Sequence, residues 1–269
     1  MKYVEIKSEL INEFKKLGLT NFEEIDYVLS ELKNVSKSKL YFEDFDKKIF
    51  KKSEKVLSKH LKTKKPLQKI FKKAYFFGQK FYVNNHVLTP RFDSEILVEN
   101  ALKFDFNSCL DLCCGSGCLG LSIKQNKKDI ALTLADISLK ALKVAKINAK
   151  KLNLKVDFVK TDMFQNITKK FDLIVCNPPY IETNEIEKLD DEVKKFDPVL
   201  ALDGGCNGIR FYEILFNNLD KFLTEKGKAL IEIGYNQGKL CDKFKEKYKN
   251  VKLIKDYNNL DRLLIIEKE

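Results

Sequence analysis

Apolar positions recur at helical spacing through the first sixty residues and at strand spacing after residue 108, and this change of period divides the chain. Within residues 2–62, Leu10, Ile11, Phe14 and Leu17 repeat every three or four positions before Gly18, a helix stop. Asn21 is placed to cap a second helix with Phe22, Ile25, Val28, Leu29 and Leu32 on its inner face. Tyr41 to Leu61 predicts a third, with Phe42, Phe45, Ile49, Phe50, Val56 and Leu57 turned inward. Pro66 ends this region. The stretch from Tyr75 to Leu88 is aromatic and β-branched, broken by Gly78 and Asn84-Asn85, and predicts a hairpin. Thr89-Pro90-Arg91 then leads into a helix from Asp93 to Lys103, capped by Asp93 or Ser94. Beyond it, strand patterns at 108–113, 131–136, 156–160, 171–176, 228–233, 251–256 and 262–267 alternate with helix patterns at 117–126, 138–152, 207–223 and 237–248. Only Tyr257 to Asp261 separate the last two strands, too few for a parallel crossover, so that pair is antiparallel. The pattern is α/β: a helical bundle at 1–70, a β-hairpin linker at 71–90 and a domain at 91–269 with a seven-stranded, mostly parallel sheet.

Composition narrows the class. Hydrophobic residues make up 44% and charged residues 33% of 269, the balance of a soluble globular protein. No apolar run approaches the ~20 residues of a membrane span, and the first residues carry no apolar signal core, so a cytoplasmic protein without membrane contact is expected. The seven cysteines lack paired C-x-x-C spacing, and the two histidines, His60 and His86, lie far from them, so no metal site is expected. The net charge of +11 is uneven: residues 1–80 hold 20 Lys and 11 acids, and residues 81–269 hold 30 basic and 28 acidic residues. The N-terminal third thus carries most of the positive field, either a solvated lysine face or a surface that steers an anionic partner.

Two loops carry the chemistry. The strand at 108–113 runs into Asp111-Leu112-Cys113-Cys114-Gly115-Ser116-Gly117-Cys118-Leu119-Gly120, where glycines allow close backbone approach before a helix N-terminus. The next strand ends in Asp136, a carboxylate suited to a ribose diol, and the third in Thr161-Asp162-Met163, where Asp162 can accept from an adenine amine and Met163 can pack on its ring. Asp111 just before the glycine loop suits an ammonium better than a pyrophosphate, which favours S-adenosylmethionine over a dinucleotide. The fourth strand runs into Asn177-Pro178-Pro179-Tyr180. Asn177 offers a carboxamide, the two prolines remove N–H donors and leave carbonyl acceptors, and Tyr180 adds a flat ring. Such a set suits a planar NH2 group held in one orientation.

In this order the motifs resemble a class I S-adenosylmethionine-dependent methyltransferase of the Rossmann-like type, and the tetrapeptide resembles that of amino-group methylators. Leu88-Thr89-Pro90-Arg91-Phe92-Asp93-Ser94-Glu95, Asn177-Pro178-Pro179-Tyr180-Ile181, the run from Phe196 to Gly205 with Gly208, and Asp256-Tyr257 with Arg262 are together similar to the release factor glutamine methyltransferases (the PrmC/HemK family). The resemblance implies methyl transfer to the side-chain amide nitrogen of the glutamine in the Gly-Gly-Gln motif of class 1 peptide chain release factors. Asn177, Pro178 and Tyr180 would be catalytic. Asp111, Cys113, Cys114, Gly115, Ser116, Gly117, Asp136, Asp162, Met163 and Asn177 would hold the cofactor, and Asn177, Pro178, Pro179 and Tyr180 the substrate. Pro90, Arg91 and Glu95 would assist. A monomer docking release factors through its N-terminal domain is expected. Cys113 stands where the family usually has glycine, which predicts strain if φ is positive there. Two other readings share these motifs: a nucleic-acid amino methyltransferase and a non-catalytic protein of the same fold. Against nucleic acid stand the acids Glu182, Glu185, Glu187, Asp190, Asp191 and Glu192 just after the tetrapeptide.

Overall fold

A computed structural model describes residues 1–268. The elements in order are α1 (Tyr3–Lys15), α2 (Glu23–Lys33), α3 (Lys47–Thr63), α4 (Leu67–Phe71), β1 (Lys73–Phe76), β2 (Gln79–Tyr82), α5 (Glu95–Ala101), β3 (Ser108–Leu112), α6 (Cys118–Asn126), β4 (Ala131–Asp136) and α7 (Leu139–Lys151). Then come β5 (Asp157–Lys160), β6 (Phe171–Cys176), α8 (Asp191–Phe196), α9 (Arg210–Phe222), β7 (Leu223–Glu232), α10 (Leu240–Lys245), β8 (Asn250–Lys255) and β9 (Asp261–Glu267). The chain forms two compact units, one of Met1–Lys72 with Asp191–Phe196, the other of Lys73–Asp190 with Asp197 onward.

The first unit is a helical bundle whose core holds Ile6, Leu10 and Phe14 of α1, Ile25, Val28 and Leu29 of α2, and Leu57 of α3. Gly18 takes φ +95°, which ends α1 with Leu19 N–H donating to the Phe14 carbonyl. The Asn21 side chain accepts from Glu23 N–H, but the N-cap of α2 is Phe22, one residue later than expected, and carries no side-chain cap. The third helix starts later than its apolar pattern predicts. Asp46 accepts from Ile49 N–H at 2.7 Å and sets the start at Lys47, while Tyr41 and Phe42 stay in a 3-10 turn with Phe42 87% exposed. Here a cap outweighed hydrophobic periodicity.

The second unit opens with the β1–β2 hairpin. Its turn is Phe77-Gly78, both at positive φ (47° and 71°), so it closes before the Asn84-Asn85 break. The main sheet has the order β5-β4-β3-β6-β7-β9-β8, with only β9 antiparallel to its neighbours. Strand alternation sorts side chains between two cores. Cys109, Leu173, Val175 and Leu230 pack under α5, α6 and α7. Leu110, Leu112, Ile174, Cys176 and Ile231 pack under α9 and α10. β7 begins at Leu223, directly after α9, and α10 is only six residues long because Gly234 to Gln237 form a turn first. No described helix is long and apolar enough to cross a membrane.

Candidate active site

The strand order reverses between β3 and β6, and the cleft of the second unit lies at the C-terminal ends of the strands there, where open α/β sheets bind ligands. It is lined by Leu112 to Ser116 after β3, Asp136 to Ser138 after β4, Thr161 to Met163 after β5, and Asn177 and Pro179 after β6. Val87 to Arg91, Ser94, Pro198, Leu200, Ala201, Arg210 and Phe211 also line it. The sheet thus brings together Cys113, Cys114, Gly115, Ser116, Asp136, Asp162, Met163, Asn177, Pro179, Pro90 and Arg91 from distant parts of the chain. Gly117, Asp111, Pro178, Tyr180 and Glu95 do not line the cleft.

The glycine loop turns sharply, with φ +60° at Cys113, +53° at Gly115 and +78° at Gly117. A side chain at Gly117 would press on Leu121, Leu134 and Ala145, whereas one at Gly115 would meet nothing. Cys113 carries the left-handed backbone that glycine adopts freely, a strain of about 1–2 kcal/mol. Its Sγ lies 3.8 Å from Met163 Sδ, so the first and third loops touch.

Asp111 does not face the cleft as expected. It is 0% exposed, and its Oδ2 accepts from Gly120 N–H at 2.8 Å while Oδ1 has no partner among the described residues. Burial, with the nearby Asp136 charge, pushes its carboxyl up to about 7. A side chain at Gly120 would come within 2.9 Å of this carboxylate, so the glycine admits Asp111 beneath α6. The cofactor argument therefore moves from Asp111 to the backbone. Gly115 N–H donates to Asp136, Gly120 N–H to Asp111, Cys114 N–H to the Ala135 carbonyl and Gly117 N–H to the Cys114 carbonyl. Amides that would cradle a pyrophosphate are already engaged, two of them by carboxylates. The loop fits a cofactor without phosphates.

Asp136 is fixed at the end of β4 by Gly115 N–H on Oδ2 and Ser138 N–H on Oδ1, at 2.9 and 2.8 Å. Burial raises its carboxyl against these two bonds. Ser138, not Asp136, caps α7 through Ala141 N–H, which leaves Asp136 to the cleft. Thr161 Oγ donates to the Met163 carbonyl and accepts from Asn166 N–H, shaping the loop that presents Asp162 and Met163.

Asn177 is half-buried, and its Nδ2 donates to Ser94 Oγ at 3.4 Å. Pro178 and Pro179 are buried, and it is Pro179 that lines the cleft. The Tyr180 ring packs on the α9/α10 core rather than closing the cleft, and burial pushes its phenol up to about 12. Tyr180 is instead a backbone anchor. A Cβ on Gly204 would lie 2.7 Å from its Cα, and one on Gly208 would lie 2.5 Å from its carbonyl oxygen. Ile181 N–H donates to the Leu202 carbonyl, Gly204 N–H returns the bond to Ile181, and Gln237 Nε2 donates to the Tyr180 carbonyl. The 202–208 segment therefore clamps the tetrapeptide from behind.

Pro90 and Arg91 reach the cleft because Asp197 accepts from Thr89 N–H and Oγ, both at 3.2 Å, with Arg91 at 4.0 Å. Glu95 faces away and accepts from Phe77 N–H in the hairpin turn. The six acids after the tetrapeptide do not line the cleft, and Asp191 and Glu192 belong to α8 in the first unit. Sequence reasoning missed Ser94, Glu232 and Gln237. Ser94 was read as a helix cap, yet it makes no capping bond. Nothing in the local pattern of Glu232 or Gln237 marks them, because both act across the sheet.

The fold and cleft define a class I S-adenosylmethionine-dependent methyltransferase. Residues 91–195 match the methyltransferase small domain. The fold is similar to that of a methyltransferase from Pyrococcus furiosus, with a TM-score of 0.54 at 17% identity over 81% of this chain and 98% of that one. More specifically, the chain is 34% identical to the release factor glutamine methyltransferase of Thermodesulfovibrio yellowstonii, over 100% of this chain and 99% of that one. It is 38% identical to the ribosomal protein uL3 glutamine methyltransferase of Francisella tularensis, over 66% of this chain and 60% of that one. The chain belongs to the release factor glutamine methyltransferase family.

Proposed function

We propose that this enzyme transfers a methyl group from S-adenosylmethionine to the side-chain amide nitrogen of the Gly-Gly-Gln glutamine in class 1 release factors. The observation that carries the reading is Asn177 at the cleft, its Nδ2 committed to Ser94 and its carbonyl oxygen left for an incoming NH2 group. The cofactor, when bound, supplies an electrophilic methyl. Asp136 would hold its ribose, and Asp162 and Met163 its adenine.

An amide nitrogen is a weak nucleophile, so placement must do most of the work. Asn177 Oδ1 accepts one N–H of the glutamine, and the Pro178 carbonyl, to which no described backbone amide donates, accepts the other once the substrate brings it into the cleft that Pro178 does not line in this structure. Two acceptors orient the nitrogen lone pair toward the methyl, and oriented approach can be worth about 7–11 kcal/mol. The same oxygens stabilise positive charge growing on nitrogen before its proton leaves. The loop keeps this geometry because the 202–208 segment and Gln237 fix its backbone.

The bundle at 1–70 serves as the docking unit and the hairpin as its link to the catalytic domain. Seven free thiols support a cytoplasmic setting, and the working form is a monomer. Incubation with S-adenosylmethionine and purified release factor, followed by peptide mass spectrometry, should place one methyl group on the glutamine of the Gly-Gly-Gln fragment. Methylation of a ribosomal protein glutamine alone, or of nucleic acid alone, would refute the substrate.

A further inference from the structure

We propose that Ser94 and Glu232 form a polarity lock that decides which end of the Asn177 carboxamide faces the substrate; this rests on the amide-methylation reading above. Cys176 of β6 pairs in register with Ile231 of β7, and both face the α9/α10 core. The next residues, Asn177 and Glu232, leave the two strands side by side, and the pleat turns them to the opposite face. There α5 packs on β7, with Ser94 at its start. Ser94 is 4% exposed and Glu232 2% exposed, so neither exchanges its partners with water. Ser94 makes no helix-capping bond and accepts from Asn177 Nδ2, and it favours the ionised form of the Glu232 carboxyl. Glu232 Oε2 has no partner.

The chemistry of a hydroxyl sets the direction. It has one proton to give and lone pairs to accept with. Beside an ionised Glu232, Ser94 gives that proton to the carboxylate and can only accept from Asn177. Asn177 then presents Nδ2 to Ser94 and Oδ1 to the cleft. When Glu232 is protonated, its own O–H can donate to Ser94, whose proton is free to turn to Asn177 and draw Oδ1 away from the cleft. The cleft would then face the glutamine N–H groups with donors. The ionisation is finely placed: burial pushes Glu232 up to about 7, and Ser94, Arg262 and Arg91 pull it down while Asp93 pushes it up. Arg262 is itself held by Asp256 at 3.0 Å and lies 3.8 Å from Asp93, so its charge is shared. Cys118, Cys176, Tyr180 and Tyr212 also couple electrostatically to Glu232, and burial keeps each of them neutral through this range.

Ser94 is therefore a positioning residue, and its test needs a signal that packing alone would not move. Asparagine-selective 15N NMR gives one, with the Asn177 side-chain pair assigned by its loss in Asn177→Ala. In the parent enzyme without substrate, that pair should shift with pH about a midpoint near 7. The shift should vanish in Glu232→Gln and in Ser94→Ala. Ser94→Ala should also lower kcat by about 10–100-fold, the loss of the bond that orients the carboxamide, while KM for a Gly-Gly-Gln peptide stays within about threefold. Ser94→Thr keeps the hydroxyl and should recover most of the rate. An Asn177 pair that ignores pH in the parent, or titrates unchanged in Ser94→Ala, overturns the lock. Because the NMR signal needs no substrate, a normal titration with no glutamine methylation would sink the substrate assignment and leave the lock standing.

Discussion

The two units bury ionisable groups in opposite ways. In the first, His60 is 5% exposed and stands between opposite charges: Nε2 lies 3.1 Å from Glu24 and 3.9 Å from Glu192, and Nδ1 bonds the Lys65 carbonyl at 2.9 Å. In the second, Asp111 and Glu232 are as deeply buried, yet each leaves one oxygen without a partner, and burial pushes both up to about 7. Charge that is compensated where it is buried is a packing device. Charge left partly uncompensated beside a cleft costs stability and marks a site where the protonation state is used. The catalytic unit accepts that cost at the strand ends.

Removing the cleft asparagine should give the largest effect. Asn177→Ala deletes one of the two proposed substrate acceptors and the partner of Ser94, so kcat should fall by about a thousandfold or more, a share of the orientation term. The affinity for S-adenosylmethionine, measured by calorimetry, should stay within a few-fold, because Asp136 and the glycine loop are untouched. Turnover close to that of the parent would mean that the tetrapeptide is only a rigid turn.

Much of this unit was legible from residue order because its elements are long and strictly periodic. The sheet strands at 131–136 and 171–176 appear at those bounds, and the antiparallel last pair followed from the five residues between them. Positions at strand ends, such as Asp136 and Asn177, were legible for the same reason: topology alone brings them to one edge. Side-chain direction was not. Asp111 looked like a cleft residue, but Gly120 lets it tuck beneath α6. Tyr180 looked like a lid, yet Gly204 and Gly208 let a second segment press its backbone into the core. Ser94 sits where a cap belongs, and only the fold shows its hydroxyl turned to a residue 83 positions away.

Asp111 offers a sharper probe of the cost of uncompensated charge. Its folded-state carboxyl titrates at about 7 against about 3.9 in the unfolded chain, so the native state holds the proton more tightly between those values. Stability from this group is greatest below about pH 4, falls as pH rises to about 7, and is level above. Asp111→Asn removes the charge while keeping an acceptor for Gly120 N–H. It should gain about 1–3 kcal/mol at pH 8, little at pH 4, and flatten the slope between, as read from urea unfolding at several pH values. A loss of stability at pH 8 would show that the carboxylate has compensation in solution.

The smallest effect belongs to His60, and it should run the same way with pH for a different reason. Glu24 raises the pKa of the imidazole most, against burial, with the Lys65 carbonyl and Glu192 adding to the rise. A raised histidine contributes stability that is fully present below its unfolded value of about 6.5 and is lost as pH rises through the folded value. His60→Gln keeps a polar side chain but cannot charge. It should cost under about 1 kcal/mol at pH 6 and less from this term at pH 9. The stability difference between parent and variant should therefore shrink as pH rises, whereas for Asp111→Asn it grows. If His60→Gln instead destabilises equally at both pH values, the imidazole acts in the bundle through shape and its bond to Lys65, and the contrast between paired and unpaired buried charge does not extend to the first unit.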